Sequence, residues 1–538
     1  MKKQLVFFLM ALLPMVVWAD GVKINGIYYN LSGTTAEVTS NPSKYSGAIV
    51  IPPSVTYGTN SYTVTGIGDR AFYQCTGLTE LTIPASITYI GNTPGYADVF
   101  RDCNGNVFTK VKISDLEAWC RITFADDSYA NPLIVAHHLY LNDSEITDLV
   151  IPNTITTLGT FQFEGCHGIT SLTIPSNVTD LGMATFYYCK NLTTVNIAPG
   201  LTSIGVNVFN SCEKLASVNI PNTVTTIKSG AFCYSGLTSI NIPNSVTTIE
   251  DCAFNDCNSL QTVIIPSSVT SIDASAFINC TNLQSVTVGR KTPATVNSNA
   301  FFNSTTYYKP LYVPKGKLSN YQAAEGWNKF GTMHEVESVP LTIGNSGIAS
   351  FCSIFDLDFN TNNIWKDVVP YAIKSYDAVN CKVTLEVAEY LYVPAGKGVV
   401  VMGNPGTYNI PVNPKSTFNT LTTMLKGVSS DTPLSKVEGE YTNYILGEKN
   451  GEVGFYAITD GSILRAGKAY LPIPTSNVPS PALQNGISIV IDGINTGING
   501  VYNGKSSEKN LIYNMQGQKL NQPRKGVNFI NGKKVLIK

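Results

Sequence analysis

The segment His334-Glu335-Val336-Glu337-Ser338 opens like the zinc-protease motif H-E-x-x-H. That chemistry needs two histidines four residues apart on one helical face, with the Glu beside the metal as general base. Ser338 stands where the second histidine belongs, so the ligand pair is incomplete. His137-His138 are adjacent, and on a strand their side chains diverge. They read as a partly buried pair beside an insertion rather than a metal site. Asp356-x-Asp358-x-Asn360 begins like a calcium loop, but its sixth position is Thr361 instead of Gly and its twelfth Asp367 instead of Glu. A solvated turn is expected there. Cys352 has no histidine near it in sequence and reads as a core thiol rather than a nucleophile. Neither a G-x-S-x-G elbow nor a P-loop spacing occurs. The expectation is no catalytic residue, no metal and no cofactor, hence not an enzyme.

Two sets of polar residues remain, and spacing gives them meaning. One is Ser171, Thr194, Ser217, Ser239, Thr262 and Ser285; the other is Thr173, Asn196, Asn219, Asn241, Ile264 and Thr287. If the segments that carry them stack, the side chains form rows of small, uncharged donors and acceptors at fixed pitch. Ser171, Thr173, Thr194, Asn196, Ser217, Asn219, Ser239, Asn241, Thr262, Ser285 and Thr287 are therefore the expected partner-binding face. The plainer alternative is that the rows only keep an array soluble and self-satisfied. Tyr187-Tyr188 and Tyr307-Tyr308 add aromatics of the kind that binding hot spots favour.

The elements that must position these rows repeat. Phe163, Phe186, Phe209, Phe232, Phe254, Phe277 and Phe301 recur at spacings of 22 to 24 residues. A period between 20 and 29 marks a leucine-rich-repeat solenoid. In Leu215-Ala216-Ser217-Val218-Asn219-Ile220, apolar and polar residues alternate, as in a strand with one face inward. Pro221 then ends the strand, because proline cannot donate to a sheet ladder. Val224 to Ile227 repeats the alternation on the other side of the coil, Phe232 fills the inside, and the chain turns back at Ser235-Gly236. One such unit cannot bury its own apolar face; stacked units can. The coils should lie as parallel strands about 4.8 Å apart.

Cys166, Cys189, Cys212, Cys257 and Cys280 form a further row, each three residues after a Phe, with Ser235 and Ser304 on the same rung elsewhere. Stacked side chains point the same way, whereas a disulfide needs Cβ atoms about 3.8 Å apart and facing. Buried free thiols acting as weak donors are expected. Exported thiols usually oxidise, so this reading implies a reducing niche.

The string Leu-x-x-Val-x-Ile-Pro-x-x-Val-x-x-Ile…Ala-Phe-x-x-Cys, recurring over roughly residues 46 to 335, resembles the BspA-type leucine-rich repeat. The resemblance implies a surface protein of anaerobic oral or gut bacteria. It also implies an adhesin that binds host matrix proteins or other bacteria, with no catalysis in the repeats.

The remaining organisation follows in order. Residues 1–19 read as a signal peptide: Lys2-Lys3, an apolar core from Leu5 to Val17, and Ala19 before the cleavage point. The solenoid spans 20–335. It has an N-terminal cap with an Ile24-Asn25-Gly26-Ile27 hairpin. An insert lies at about 92–149, whose helix should start at a capping box with Ser114 as N-cap and Glu117. Leu311-Tyr312-Val313-Pro314 is the expected last strand, and a helix at about 318–330, with Tyr321 and Trp327, should cap the open end. A β-rich domain follows at 340–472, a sandwich or barrel, then a linker at 473–510. The tail at 511–538, with a hairpin turn at Asn531-Gly532, resembles a type IX secretion sorting domain.

Fold class is therefore mostly β. The composition is 43% hydrophobic and 14% charged with net charge −1, which gives no electrostatic footprint for nucleic acid. No apolar run in the mature chain reaches the length of a spanning helix. A secreted or cell-surface protein is expected, anchored through its C-terminus, with a protein partner on the strand face. The alternative is a glycan-binding module with its site in the 340–472 domain.

Overall fold

The computed structural model describes residues 21–302 without a break, most of 309–478, and short strand segments beyond that as far as residue 537. The signal segment 1–19, Ser304 and the Tyr307-Tyr308 pair lie outside the described residues. By its contacts the chain divides into two units: residues up to Ala136 with Tyr140–Asp143, and His137–Leu139 with Ser144 onward.

The first unit begins with an antiparallel meander, Val22–Ile24, Ile27–Ser32 and Thr35–Thr39. Asn25 and Gly26 take φ of 50° and 92°, the positive values a tight two-residue hairpin requires. Parallel pairing then takes over. Thr35–Thr39 pairs Asn60–Ile67, which pairs Tyr89–Ile90. Ser46–Val50 pairs Gly77–Ile83, which pairs Lys110–Ile113. Tyr45, Phe72, Phe100 and Phe108 stack in the interior, with centroids 5.0 to 6.1 Å apart.

The insert breaks the spacing but not the stacking, since Lys110–Ile113 and Thr123–Phe124 both continue existing sheets. Its helix is Leu116–Cys120, and the N-cap is Asp115 rather than Ser114. Asp115 Oδ1 accepts from the Ala118 N–H at 3.0 Å, and Glu117 pairs with Arg121 one turn on. A carboxylate caps as well as a hydroxyl and adds a favourable charge at the helix start.

The second unit holds the most regular coils. Asp148–Val150, Ser171–Ile174 and Thr194–Ile197 form one parallel sheet. Ser239–Asn241, Thr262–Ile265, Ser285–Val288, Pro310–Pro314 and Thr332–Val336 form another. Thr332–Val336 follows the strand expected to be last, so the array is one strand longer than the sequence suggested. The far side of each coil carries a two-residue strand, from Ser203–Ile204 to Thr295–Val296. Between them runs the phenylalanine column from Phe163 to Phe301. Centroids are 5.0 to 5.8 Å apart and planes lie within 14°. All seven rings are fully buried or nearly so. Each contributes about 1.5–3 kcal/mol of burial, and offset stacking suits their quadrupoles.

Backbone conformation repeats with the ring. Around six of the seven rings the residues two before and two after the Phe sit at positive φ, among them Ala184 and Tyr188, Asn207 and Ser211, Cys252 and Asp256, Ser275 and Asn279. These kinks aim the Phe N–H at the next coil: Phe186 donates to Val208 O at 3.1 Å, Phe254 to Ala276 O at 2.8 Å. The open end is covered by the helix Leu318–Ala323 and the turn Trp327–Lys329. Trp327 and Phe330 close on Phe301 at 5.7 and 5.3 Å, and Trp327 Nε1 donates to Ala294 O at 2.8 Å.

After Ser338 two larger sheets face each other across one core, with two-stranded sheets and a second apolar cluster beside them. The first runs Ile348–Phe351, Val399–Gly403, Val368–Asp377, Lys382–Val387, Ser488–Ile491; the second is built on Ala469–Pro474, Tyr441–Lys449 and Glu452–Ala457. Tyr371, Val383 and Val400 of the first meet Tyr444, Phe455 and Leu471 of the second. Ser488–Ile491 lies inside the segment expected as a linker, yet it pairs with Lys382–Val387 in parallel. In the tail, Gly526–Ile530 pairs with Lys533–Ile537 across the expected turn, though Asn531 and Gly532 themselves lie outside the described residues.

Candidate functional site

The two polar rows exist as rows. Ser171 faces Thr194 and Thr173 faces Asn196. Further along, Ser239, Thr262 and Ser285 share one register line; Asn241, Ile264 and Thr287 share the next. Ser217 and Asn219 fall in a coil whose 215–220 segment forms no strand, so the sheet is interrupted there. The second row extends beyond the residues picked from sequence: Val150 precedes Thr173, and Tyr312 and His334 follow Thr287. Tyr312 and His334 stack at 5.5 Å, and Val150 is 53% exposed. Their offset from each strand was the available signal.

Not all polar rows are equal. On the coil edges, threonines bond to one another: Thr193 Oγ1 donates to Thr170 O at 2.9 Å, and Thr270 Oγ1 to Thr247 O at 3.1 Å. Those rows are self-satisfied. Thr194, Asn196, Ser217, Ser239 and Thr262 are exposed, and their side chains make no hydrogen bond to any described residue. Ser171 differs, donating to Asp148 Oδ1.

Part of the face has a companion. Asn222 Nδ2 donates to Tyr470 OH at 3.4 Å, and Lys291 pairs with Asp356 at 2.6 Å. Ile264, the odd apolar residue in its row, packs against the β-domain cluster around Phe355 and Val412. Gly289 is needed where it stands, since a Cβ there would lie 2.4 Å from Ile354 O. Asn219, Asn241, Ser285 and Thr287 are accordingly half-buried, so the face is not bare along its whole length.

A family model of the BspA-type leucine-rich repeat region matches residues 54–124, 134–261 and 226–321, in six copies. These coils are BspA-type leucine-rich repeats. Among solved structures, the chain is similar to a leucine-rich repeat protein from Bacteroides ovatus: 23% identity over 59% of this chain and 76% of that one, TM-score 0.43. It is similar to a leucine-rich cell surface protein from Faecalibacterium prausnitzii at 22% identity, covering 57% and 97%, TM-score 0.30. The pneumococcal vaccine antigen PcpA is similar at 16% identity, covering 59% and 98%, TM-score 0.33. No curated protein matches.

Across the BspA-type array and the β-domain the residues that hinted at chemistry stay apart. His334 and Glu335 lie on a strand, not a helix, and Glu335 accepts from the Leu318 N–H at 3.0 Å. Asp356 spends one oxygen on Lys291 and the other on the Ala395 N–H at 2.6 Å; Asn360 and Thr361 lie outside the described residues. Burial pushes the Cys352 thiol up to about 12. His138 Nδ1 meets Glu145 Oε1 at 2.6 Å, while His137 stacks on His167 at 3.9 Å. Burial, then the neighbouring His137 and Lys190, pull His167 down to about 4. Among the described residues no three His, Cys, Asp or Glu side chains converge as metal ligands.

All twelve cysteines are free. Cys189, Cys212, Cys257 and Cys280 donate to the Phe carbonyl of the preceding coil at 3.1 to 3.4 Å. Burial raises the pKa of each, with Cys257 at about 12.

Proposed function

We propose that the repeat array is an adhesive platform that presents its strand face to a protein partner at the cell surface. The observation that carries this is the difference between the polar rows. The threonine edges close on themselves, while Thr194, Asn196, Ser217, Ser239 and Thr262 keep their donors and acceptors for an outside molecule. Solenoids bind through such broad repeated faces. Val150 at one end, and Tyr312 at the other, supply the apolar contact that small polar groups lack.

Export by residues 1–19 and retention through the tail at 511–538 belong to the same reading and rest on sequence. No described helix is long and apolar enough to cross a membrane. The separation of His334, Asp356, Cys352 and the His137–His167 pair supports a binding rather than a catalytic role.

The test replaces Thr194, Ser217, Ser239 and Thr262 together with lysine. Attachment of the purified chain to immobilised host matrix proteins and to whole bacteria is then compared with a variant carrying lysine at Thr193, Thr225, Thr247 and Thr270. Loss only in the first variant supports the strand face. Equal retention in both would sink it.

A further inference from the structure

In the first unit, one of the two parallel sheets ends at Ser46–Val50, whose ladder partner is Gly77–Ile83. We infer that the open edge of Ser46–Val50 takes up one extended, uncharged segment of a partner protein as an added strand. Ile51 N–H donates to Thr82 O at 3.0 Å, and Ile49 stands opposite Leu81. In a parallel ladder alternate residues bond to opposite sides, so the N–H and C=O of Ala48 and Val50 point away from Gly77–Ile83. Among the described residues these groups meet no partner. Gly47 at φ 74° before them and Pro52-Pro53 after confine the open ladder to this short stretch.

The side chains of this strand suit a neighbour on its open side. In the next two coils the outward positions are polar: Glu80 and Lys110 follow Ala48, and Thr82 and Lys112 follow Val50. Ala48 and Val50 are apolar and exposed, Val50 to 63%. On the inner side Leu81 and Val111 are fully buried, whereas Ile49, on the same row, is only half-buried. Apolar residues on both faces mark a strand with cover on both faces, whereas edges that stay in solvent often carry charge. Ser46–Val50 carries none. An extended backbone is what matches a row of alternating donors and acceptors. The end of the unit is also stepped. Its other sheet runs on past Asn60–Ile67 through Thr35–Thr39, Ile27–Ser32 and Val22–Ile24, with no counterpart beyond Ser46–Val50. A second copy brought edge to edge would press its own overhang against this one, whereas a single strand lies along the step.

The probe is a capped neutral peptide, acetyl-Thr-Val-Thr-Val-Thr-amide, titrated into the full-length chain and followed by fluorescence anisotropy and hydrogen exchange. Saturable binding is expected, with exchange slowed at Ala48 and Val50. Ala48→Pro removes one outward N–H and should weaken binding about tenfold. It should leave the melting curve unchanged, because an edge tolerates proline where the N–H faces out. Val50→Lys should weaken binding as well, while Val150→Lys, at an exposed apolar position elsewhere, should not. Absence of saturable binding overturns the assignment. So does binding that survives both edge variants, or equal binding of acetyl-Thr-Pro-Thr-Pro-Thr-amide, which lacks the donors. A dimer of the parent chain in sedimentation that Val50→Lys dissolves would replace the partner strand with a second copy. Thr194, Ser217, Ser239 and Thr262 take no part in this site, so its failure leaves the strand-face reading standing.

Discussion

The repeat coils and the β-domain behind them bury apolar side chains in opposite ways. In the coils, each Phe touches the Phe before and the Phe after. In the β-domain, Tyr371, Val383, Tyr444, Phe455 and Ile489 converge from strands scattered along the chain. One region is a sum of nearest-neighbour contacts; the other stands or falls as a whole. The difference teaches where damage should spread.

The largest expected effect tests that contrast directly. Phe232→Ala and Phe455→Ala should each cost about 3–5 kcal/mol. Hydrogen exchange should rise only in the coils flanking Phe232, but across both sheets of the β-domain for Phe455. Uniform exchange in both cases would break the comparison. Next comes the junction. Asp356→Ala removes the carboxylate that pairs with Lys291, which is only 14% exposed, and should cost about 1–3 kcal/mol. Limited proteolysis should then separate a β-domain fragment sooner than in the parent chain.

The His137–His167 stack sharpens the comparison through pH. His167 is held near 4 in the fold against the ordinary histidine value of 6.5. Between those values the unfolded chain binds more protons, so stability falls as pH drops from about 6.5 to about 4. Partial exposure keeps the effect small, about 2–4 °C in melting temperature. His167→Gln should flatten it. Ile264→Thr should loosen the junction by about 1 kcal/mol without changing the melting of the coils. Smallest of all, Cys189→Ser should change stability by less than about 1 kcal/mol, because a hydroxyl can also donate to Phe163 O. Cys189→Val, which cannot donate, should cost more.

Local determination is also what made one region readable. The Phe period, the Ile-Pro strand ends and the Trp327 cap follow from residues whose partners lie one coil away. The left-handed positions around each Phe were not legible, because Ala184, Tyr188 and Cys252 are not residues that announce positive φ. Gly165, Gly230, Asn207, Asp256 and Asn279, on the same rungs, were the hints. The β-domain's sheet order was hidden because Lys382–Val387 waits for Ser488–Ile491, far along the chain. The polar rows were visible, but their unequal availability was not. Which row closes on itself depends on hydroxyl-to-carbonyl distances, and which rungs are covered depends on the β-domain. Ile264 was the single trace of that cover in the sequence, an apolar residue among Thr and Asn. The thiols were read correctly as unbridged. Their burial and raised pKa make them poor nucleophiles, so a reducing niche is not required to keep them so.

One consequence concerns mechanical load. Under the adhesive role proposed above the array would be loaded in tension, and a bare stack loaded from one end peels coil by coil, each coil bearing the whole strain alone. The β-domain holds the array at several heights at once, at Asn222, Ile264 and Lys291. Tension arriving from the C-terminal side is therefore shared across those coils in shear, and the stack should yield at a higher force, in one large event instead of a staircase of small ones.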